Sequence, residues 1–224
     1  VTLSEVRNYH NTRFCDRIVE ALQKRGQTYY SFYTEDSGLL SRYPISDSST
    51  VYPLNDDRGS IYRLVTKKGD QEFAVYTAHL DYRNCAYYDA RGYDGNNWNK
   101  IEPVTNLDSI LVLNRASVRD DAIARFIKEA EKDKAAGRIV ILGGDFNEPS
   151  HLDWTEATKD MRDHYGLVVP WDVSVMLEKA GYKDSYREKY PDPVTHPGFT
   201  CPADCPDIAL KKLVWSPEAD DRDR

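Results

Sequence analysis

The sequence predicts an α/β fold, because segments with strand patterns and segments with helix patterns are interspersed along its 224 residues. IYRLVT (61–66) and EFAVYTAHL (72–80) are rich in β-branched and aromatic residues, which is typical of strands. Residues 117–136 repeat apolar side chains with a helical period. The length suits one large domain or two small ones. We expect a single domain over residues 1–224.

Near the amino terminus, VTLSEV (1–6) alternates, so an extended backbone would place Val1, Leu3 and Glu5 on one face. Residues 8–25 predict a helix that ends before Gly26. Its apolar stripe consists of Phe14, Ile18, Ala21 and Leu22. The aromatic run TYYSFYT (28–34) predicts the next strand.

In the strand predicted at residues 72–80, one face carries Phe73, Val75, Thr77 and His79. Residues 81–106 contain scattered Asn, Gly and Pro and predict a long irregular loop, a kind of segment that is often functional. Residues 117–136 predict a helix before Gly137, with its buried stripe at Ile123, Phe126, Ile127 and Ala130.

RIVIL (138–142) is a short, nearly continuous apolar run, which predicts a strand that is covered on both faces. Residues 173–180 predict a further helix that ends at Gly181.

Composition and charge restrict the possible partners. With 40% hydrophobic and 30% charged residues, the chain has the composition of an ordinary globular protein. No stretch approaches the roughly 18 apolar residues of a membrane span. A net charge of −7 disfavours a broad electrostatic surface for nucleic acid, so long duplex DNA is the least expected substrate.

Four cysteines are present, and only Cys201 and Cys205 lie close together in sequence. A C-x3-C pair is compatible with a small disulfide, half of a metal site or two free thiols. We favour the disulfide, which predicts an exported protein, periplasmic or secreted.

GGDFNEPSHLDW (143–154) follows RIVIL and carries the strongest chemical signal. In extended geometry Asp145 and Asn147, two residues apart, would point to the same side. An acid there can activate a water, and an amide can hold that water or a substrate oxygen. The alternative is a tight turn in which both side chains cap backbone groups.

Glu5, His79 and the Asp145–Asn147 pair all fall at the ends of predicted strands. Ligands of α/β sheets bind at such ends. Each residue alone also has an ordinary explanation, Glu5 as a surface acid and His79 as a packed or capping histidine.

Four segments, taken in order, resemble the endonuclease/exonuclease/phosphatase superfamily, the deoxyribonuclease I-like proteins. They are SEV (4–6), SGLLSRYPI (37–45), TAHLDY (77–82) and GGDFNEPSHLDW. The resemblance extends over essentially the whole chain and implies a four-layer α/β sandwich, with two packed mixed sheets flanked by helices. GDFNEPSHLDW, with HLDYRNCAYYDARGYDGNNW (79–98) before it, resembles a bacterial subgroup of metal-dependent hydrolases.

The resemblance implies a role for each matching residue. Glu5 matches the glutamate that binds the metal, usually Mg²⁺ or Mn²⁺. Asp145 matches the acid that orients or deprotonates the attacking water, and Asn147 the amide that positions water and a phosphoryl oxygen. His79 matches the histidine that donates to the phosphate or the leaving oxygen.

The resemblance also implies an earlier strand with a metal-binding asparagine, and carboxyl-terminal strands with a catalytic aspartate and histidine. This sequence supplies neither set, so we expect the chain to be truncated at both ends.

Substrate-binding candidates are one arginine of the SRYPI segment and side chains of the 81–106 loop: Arg42, Tyr82, Arg91, Tyr93 and Trp98. Arginine binds phosphate bidentately, and aromatic rings stack on bases or sugars. Aromatic residues that simply pack on the body of the protein are the alternative. A phosphorylated small molecule, a lipid head group or a nucleotide is the expected substrate.

The leading hypothesis is a metal-dependent hydrolase of phosphate esters, either a phosphodiesterase or a phosphomonoesterase. The second is a catalytically incomplete relative that binds a phospho-ligand or a glycan. The third is a glycan hydrolase that uses Asp145 together with Glu148 or Asp153.

Overall fold

In a computed structural model of the protein, the described residues are 1–6, 8–9, 11–33, 36–55 and 58–200. The elements are, in chain order, β1 (Thr2–Leu3), β2 (Asn8–Tyr9), β3 (Thr12–Arg13), α1 (Phe14–Gln23), β4 (Tyr30–Tyr33), β5 (Gly38–Ser41), β6 (Ile45–Tyr52), β7 (Gly59–Lys68), β8 (Gln71–Leu80), α2 (Ala86–Ala90), α3 (Leu107–Asn114), α4 (Arg119–Ala135), β9 (Ile139–Asp145), a 3₁₀ turn (Arg162–His164), α5 (Asp172–Lys179) and α6 (Ser185–Lys189).

The chain divides into two compact units. Unit 1 comprises Val1–Asp81 and Asp121–Phe146, and unit 2 comprises Tyr82–Asp120 and the described residues from Asn147 onward. The chain passes between the units directly after Asp81, inside α4 and directly after Phe146. All nine strands found in the described ranges belong to unit 1.

The larger sheet of unit 1 has the order β6-β7-β8-β9. Strands β6, β7 and β8 pair antiparallel, and β9 runs parallel to β8. Strand β7 is central and is buried from Gly59 to Thr66. The strands predicted at 61–66 and 72–80 are therefore confirmed as β7 and β8.

The smaller sheet, β1-β5-β4, packs on the larger one through alternate residues of β5. Ser41 hydrogen-bonds to Thr66 across the sheets at 3.2 Å. Leu40 points the other way, into a cluster with Val6 and Cys15 of α1. Helix α1 therefore covers the outer face of the smaller sheet.

Helix α4 covers the outer face of the larger sheet. The ring of Phe126 packs edge-on against Tyr76 of β8, with 4.9 Å between the centroids. Asp133 accepts hydrogen bonds from Tyr76 at 2.5 Å and from Arg63 Nη2 at 2.6 Å. Unit 1 thus has the order helix, sheet, sheet, helix, which confirms the predicted α/β sandwich.

Unit 2 is built around a cluster of buried aromatic residues. Trp154 stacks on His164 with 3.9 Å between centroids and meets Trp171 edge-on at 5.4 Å. Helices α2 and α3 supply Tyr87 and Ile110 to the same cluster. The helix predicted at 173–180 is confirmed as α5.

The helix predicted at 8–25 begins too early in the sequence, because α1 starts at Phe14. Residues Asn8–Tyr9 and Thr12–Arg13 pair as a short hairpin, with Asn11 in the left-handed region at φ 60°. Because that backbone conformation is incompatible with a right-handed helix, α1 begins only at Phe14.

The 81–106 segment is less irregular than predicted, because α2 lies within it. Strands β5 and β6 and helices α3 and α6 were also not predicted. Helix α3 begins at an Asn106 cap whose side chain accepts from the Ser109 N–H at 2.9 Å.

The prediction that RIVIL is covered on both faces is wrong. Ile139 is 46% exposed and Ile141 is 45% exposed. Among the described strands, β9 pairs only with β8, and Thr2 of β1 lies against Gly143, near the carboxyl end of β9. The two isoleucines therefore lie beyond the cover of the smaller sheet.

None of the helices in the described ranges is long and apolar enough to span a membrane. Cys15 and Cys85 are buried and form no disulfide within the described ranges. Cys201 and Cys205 lie outside the described residues, so their disulfide and the export that it would indicate stay predictions.

Candidate functional site at the strand ends of unit 1

Gly144 is required by the close approach of β9 to β8. Its φ is +143°, and a Cβ atom there would lie 1.9 Å from the carbonyl oxygen of Ala78. No other residue type avoids this overlap without moving the strands apart. The paired glycines after RIVIL therefore allow β9 to pair with β8 as far as Asp145.

The register of the two strands brings His79 and Asp145 together. They are direct partners in the parallel pairing of β8 and β9. Adjacent strands lie about 4.8 Å apart, so partners at the end of a pair are close neighbours. The two residues that were predicted at strand ends therefore lie side by side on neighbouring strands.

Glu5 is positioned by Ser4. The Ser4 hydroxyl accepts from the Asp145 N–H at 3.2 Å and donates to the Ala78 carbonyl at 3.2 Å. Glu5 follows with φ 55°, a conformation that is uncommon for glutamate. Backbone strain of this kind concentrates at functional sites.

The imidazole of His79 is held by a carboxylate that the sequence analysis missed. Its Nδ1 lies 2.9 Å and 3.1 Å from the two oxygens of Asp36. Ser60 donates to Asp36 at 2.7 Å, and Ser37 adds a longer contact at 3.4 Å. Asp36 stands directly before SGLLSRYPI, so the signal was an acid-serine pair at the start of a buried strand.

This network shifts the pKa values of both partners. Burial alone would lower the pKa of His79, but the hydrogen bond and charge of Asp36, with the charges of Asp145 and Glu5, raise it above 6.5. Burial would raise the pKa of Asp36, but the bonds from His79 and Ser60 lower it below 3.8. Because the Asp36 carboxylate only accepts, His79 Nδ1 donates, and Nε2 is the nitrogen that remains for a ligand.

The two shifts predict a pH window for stability. The His79 contribution is fully present below pH 6.5 and is lost as the pH rises through its raised pKa. The Asp36 contribution is present above pH 3.8 and is lost as the pH falls through its lowered pKa. We expect the stability advantage of the wild type over Asp36→Asn to be largest between these values.

Urea unfolding of both proteins from pH 3 to pH 9 measures this advantage. The variant should also lower the pKa of His79, followed by NMR titration, because the hydrogen bond and charge of Asp36, the strongest influences that raise this pKa, are then lost. An advantage that stays constant with pH would contradict the assignment.

The donor chemistry at this strand end is suited to a hard divalent cation. Glu5 and Asp145 are exposed carboxylates, and both lie close enough to His79 for their charges to raise its pKa. Within the described ranges, no three His, Cys, Asp or Glu side chains form a metal-binding group. Mg²⁺ is commonly held by one or two carboxylates, with water and substrate oxygens completing its shell, so these two residues fit such an ion.

Asn147 belongs to unit 2, and its backbone is not extended. Its φ is 50°, so the expected i, i+2 geometry with Asp145 on an extended strand is wrong. Strand β9 ends at Asp145, and the next two residues form the turn into unit 2. Asparagine tolerates this left-handed conformation better than most residues.

Arg42, in unit 1, is the exposed member of the predicted substrate-binding set. Its Nε donates to the Tyr29 hydroxyl at 2.7 Å, and its guanidinium lies 5.5 Å from the ring centroid. The arginine is thus held against the aromatic ring by two contacts.

The other four predicted residues lie in unit 2. Tyr82, Tyr93 and Trp98 are half-buried. Arg91 is buried and donates to Asp163 at 2.7 Å and to the Tyr87 hydroxyl at 3.1 Å, so its guanidinium is engaged in the structure of unit 2. The substrate roles of all five residues stay predictions.

The carboxylates of the glycan hydrolase hypothesis are both in structural use. Glu148 is buried and accepts from the Val173 N–H at 2.6 Å. Asp153 is buried and forms an ion pair with Arg187. These contacts disfavour either residue as the partner of Asp145 in catalysis.

Comparisons with known proteins place this architecture in a family. The family model described as "Endonuclease/Exonuclease/phosphatase family" matches residues 1–207. "Uncharacterized protein F14F9.5" of Caenorhabditis elegans is 33% identical over 168 residues, which cover 74% of this chain and 49% of that protein. The crystal structure of D. rerio TDP2 complexed with single strand DNA product is similar with a TM-score of 0.41 and 14% identity, over 83% of this chain and 52% of that one.

The chain therefore spans about half the length of each of these two proteins. The bacterial subgroup and the truncation at both ends stay predictions. The match over residues 1–207, together with the sandwich of unit 1, shows that the chain belongs to the Endonuclease/Exonuclease/phosphatase family.

Proposed function

We propose that this chain is a hydrolase of phosphate esters that depends on Mg²⁺ or Mn²⁺. Family membership supports the hydrolase class. The observation that carries the proposal is the convergence of Glu5, His79 and Asp145 at the strand ends of unit 1, with His79 held by the buried Asp36.

Each residue of this site has a chemical task in the proposed reaction. Glu5 would hold the cation together with Asp145, and the cation when bound would supply positive charge to the phosphoryl oxygens. For Asp145 we also retain the role that the resemblance implies, which is to orient or deprotonate the attacking water. His79, whose protonated form is favoured by its surroundings, would donate from Nε2 to a phosphoryl or leaving oxygen. Asp36 fixes the orientation and the tautomer of His79. For Asn147 we retain the role that the resemblance implies, the binding of a water or phosphoryl oxygen through its amide.

The proposed substrate is a phosphorylated small molecule, a lipid head group or a nucleotide. The net charge of −7 makes long duplex DNA the less favoured choice, because a basic surface normally supplies non-specific affinity for duplex. A site that gathers carboxylates can still bind an anion when a divalent cation offsets their charge.

We expect EDTA to abolish hydrolysis of bis(p-nitrophenyl) phosphate and of p-nitrophenyl phosphate, and Mg²⁺ or Mn²⁺ to restore the hydrolysis of one of them. Glu5→Gln and Asp145→Asn should each raise the Mg²⁺ concentration needed for half-maximal rate, because a carboxamide binds the ion less strongly than a carboxylate. Turnover that persists in EDTA would contradict the proposal.

A second readout does not depend on turnover. Saturating Mg²⁺ should lower the pKa of His79 in an NMR titration, because the cation offsets the charges of Glu5 and Asp145. A lowered pKa without hydrolysis of any ester would instead favour the hypothesis of a module that binds a phospho-ligand.

A further inference from the structure

The backbone of Asn147 is held on its carbonyl side by a buried thiol. Cys85, which is 3% exposed, donates from its Sγ to the Asn147 carbonyl oxygen at 3.3 Å. Cys85 is itself fixed, because its N–H donates to the Gly95 carbonyl at 3.1 Å. The peptide group after Asn147 therefore has a partner that is part of the core of unit 2.

The chain directly after Asn147 is held by the side chain of the next residue, Glu148. Its side chain is 1% exposed and accepts hydrogen bonds from three different elements. The Val173 N–H of α5 donates at 2.6 Å, Asn114 Nδ2 of α3 at 2.8 Å, and Arg119 Nε of α4 at 3.4 Å. Glu148 thus fixes the chain directly after Asn147 to three helices.

Arg119 extends this network to the start of the loop that contains Cys85. Its side chain is 1% exposed. It donates to the carbonyl oxygens of Arg83 at 3.1 Å and Asn84 at 2.9 Å, and to Asn114 Oδ1 at 2.8 Å. The residues before Cys85 and the residue after Asn147 are therefore bound to one buried arginine.

A buried ion pair of this kind is weak evidence for a role in stability, because the free energy of removing two charges from water offsets much of their attraction. Its several directional hydrogen bonds do specify positions closely. What they specify here is a turn with φ 50° at Asn147, a left-handed conformation that few residues other than glycine and asparagine adopt.

We propose that Glu148 and Cys85 are positioning residues, which hold the left-handed backbone of Asn147 and thereby set the direction of its amide. Glu148 acts through Arg119, Asn114 and the Val173 N–H, and Cys85 acts on the Asn147 carbonyl. The consequence for turnover rests on the proposed function, whereas the restraint on the backbone does not.

The test compares Cys85→Ala, Cys85→Ser and Glu148→Gln with the wild type. Ala removes the donor to Asn147, and Ser restores a donor of similar size. Leu167→Ala is the control, because Leu167 is buried in the same core and contacts neither residue through a hydrogen bond. It reports what a simple loss of packing in unit 2 does.

The first readout is the set of backbone chemical shifts of Asn147, which report its φ and ψ. We expect Cys85→Ala and Glu148→Gln to move them away from left-handed values, and Cys85→Ser and Leu167→Ala to leave them in place. Unchanged shifts in both of the first two variants would overturn the proposal. If Glu148→Gln does not fold, the comparison of Cys85→Ala with Cys85→Ser decides the proposal by itself.

The second readout is the split between kcat and KM. Glu148→Gln should lower kcat by about tenfold to a hundredfold, the effect of a reacting group misplaced by about 1 Å. Cys85→Ala should lower kcat about fivefold, the equilibrium ratio of one neutral hydrogen bond, and Cys85→Ser should restore it. KM should stay within about twofold, and Leu167→Ala should retain the wild-type kcat.

The two readouts test the proposed function and the positioning role separately. A wild type that hydrolyses no phosphate ester with Mg²⁺ or Mn²⁺ would refute the proposed function, and the chemical shifts would still decide the backbone restraint. Shifted Asn147 signals together with an unchanged kcat would overturn the positioning role while the proposed function stands.

Discussion

Replacing His79 by Gln should lower kcat by about a hundredfold to ten-thousandfold, the range by which one general acid or base accelerates a reaction. Replacing Asp36 by Asn should lower it by at least about tenfold, because the imidazole then loses the charged group, an acceptor through both oxygens, that fixes its tautomer. The measurement is steady-state hydrolysis of the better p-nitrophenyl ester with saturating Mg²⁺.

The physical basis of this expectation is the geometry at Nδ1. Both oxygens of Asp36 lie within 3.1 Å of that nitrogen, and Ser60 holds the carboxylate at 2.7 Å. The side chains of the pair are only 12% and 7% exposed, so water does not replace the lost contact easily. Asn at position 36 would present its NH2 or its oxygen, and it would carry no charge to favour the protonated form of His79.

Asp47→Asn is the matched control. Asp47 also accepts from a cation of the larger sheet, Arg63, at 2.6 Å, but its side chain is 59% exposed and lies at the other end of β7 from Ser60. The same chemical change there should leave kcat unaltered. If Asp36→Asn and Asp47→Asn lower kcat equally, the Asp36 carboxylate has no special role in turnover.

Gly144→Ala should destabilise the protein more than a methyl group added anywhere else at the β8–β9 junction. The new Cβ would lie 1.9 Å from the Ala78 oxygen and 2.7 Å from the Ala78 nitrogen, both of them backbone atoms that cannot rotate away. We expect a loss of about 4 kcal/mol or more in the free energy of unfolding. In a domain of this size that corresponds to a decrease of roughly 10 °C in Tm.

Gly69→Ala separates the steric effect from the backbone effect. Gly69 also has a positive φ, 61°, but a Cβ there would meet no atom within 4 Å. Its cost should be about 1 kcal/mol, that of a left-handed alanine. Equal losses in the two variants, measured by urea unfolding, would mean that the approach of β9 to Ala78 is not as close as described.

Gly144→Ala should also reduce turnover in whatever fraction stays folded. The clash lies one residue before the His79–Asp145 pair, and the Ser4 hydroxyl is bound to both strands at this point. Strands that move apart would separate His79 from Asp145 and release the segment that carries Glu5. Gly69→Ala should retain the wild-type kcat.

Local patterns in the sequence were sufficient for much of the framework. The period of two in β8 and the helical period in α4 follow from how each residue must bury its own side chain, so both were predicted close to their bounds. The strand-end positions of His79 and Asp145 follow in the same way. The segments around them were also enough to identify the family.

Only the tertiary structure decided which of these ends meet and what holds them. Asp36 and His79 are separated by 43 residues, and their contact depends on the packing of β5 against β7 and β8. The exposure of Ile139, the left-handed turn at Asn147 and the pairing of Arg91 likewise depend on neighbours that are remote in sequence. Periodicity reports whether a side chain is buried, but the register between strands and the partners of a buried charge are properties of the assembled chain.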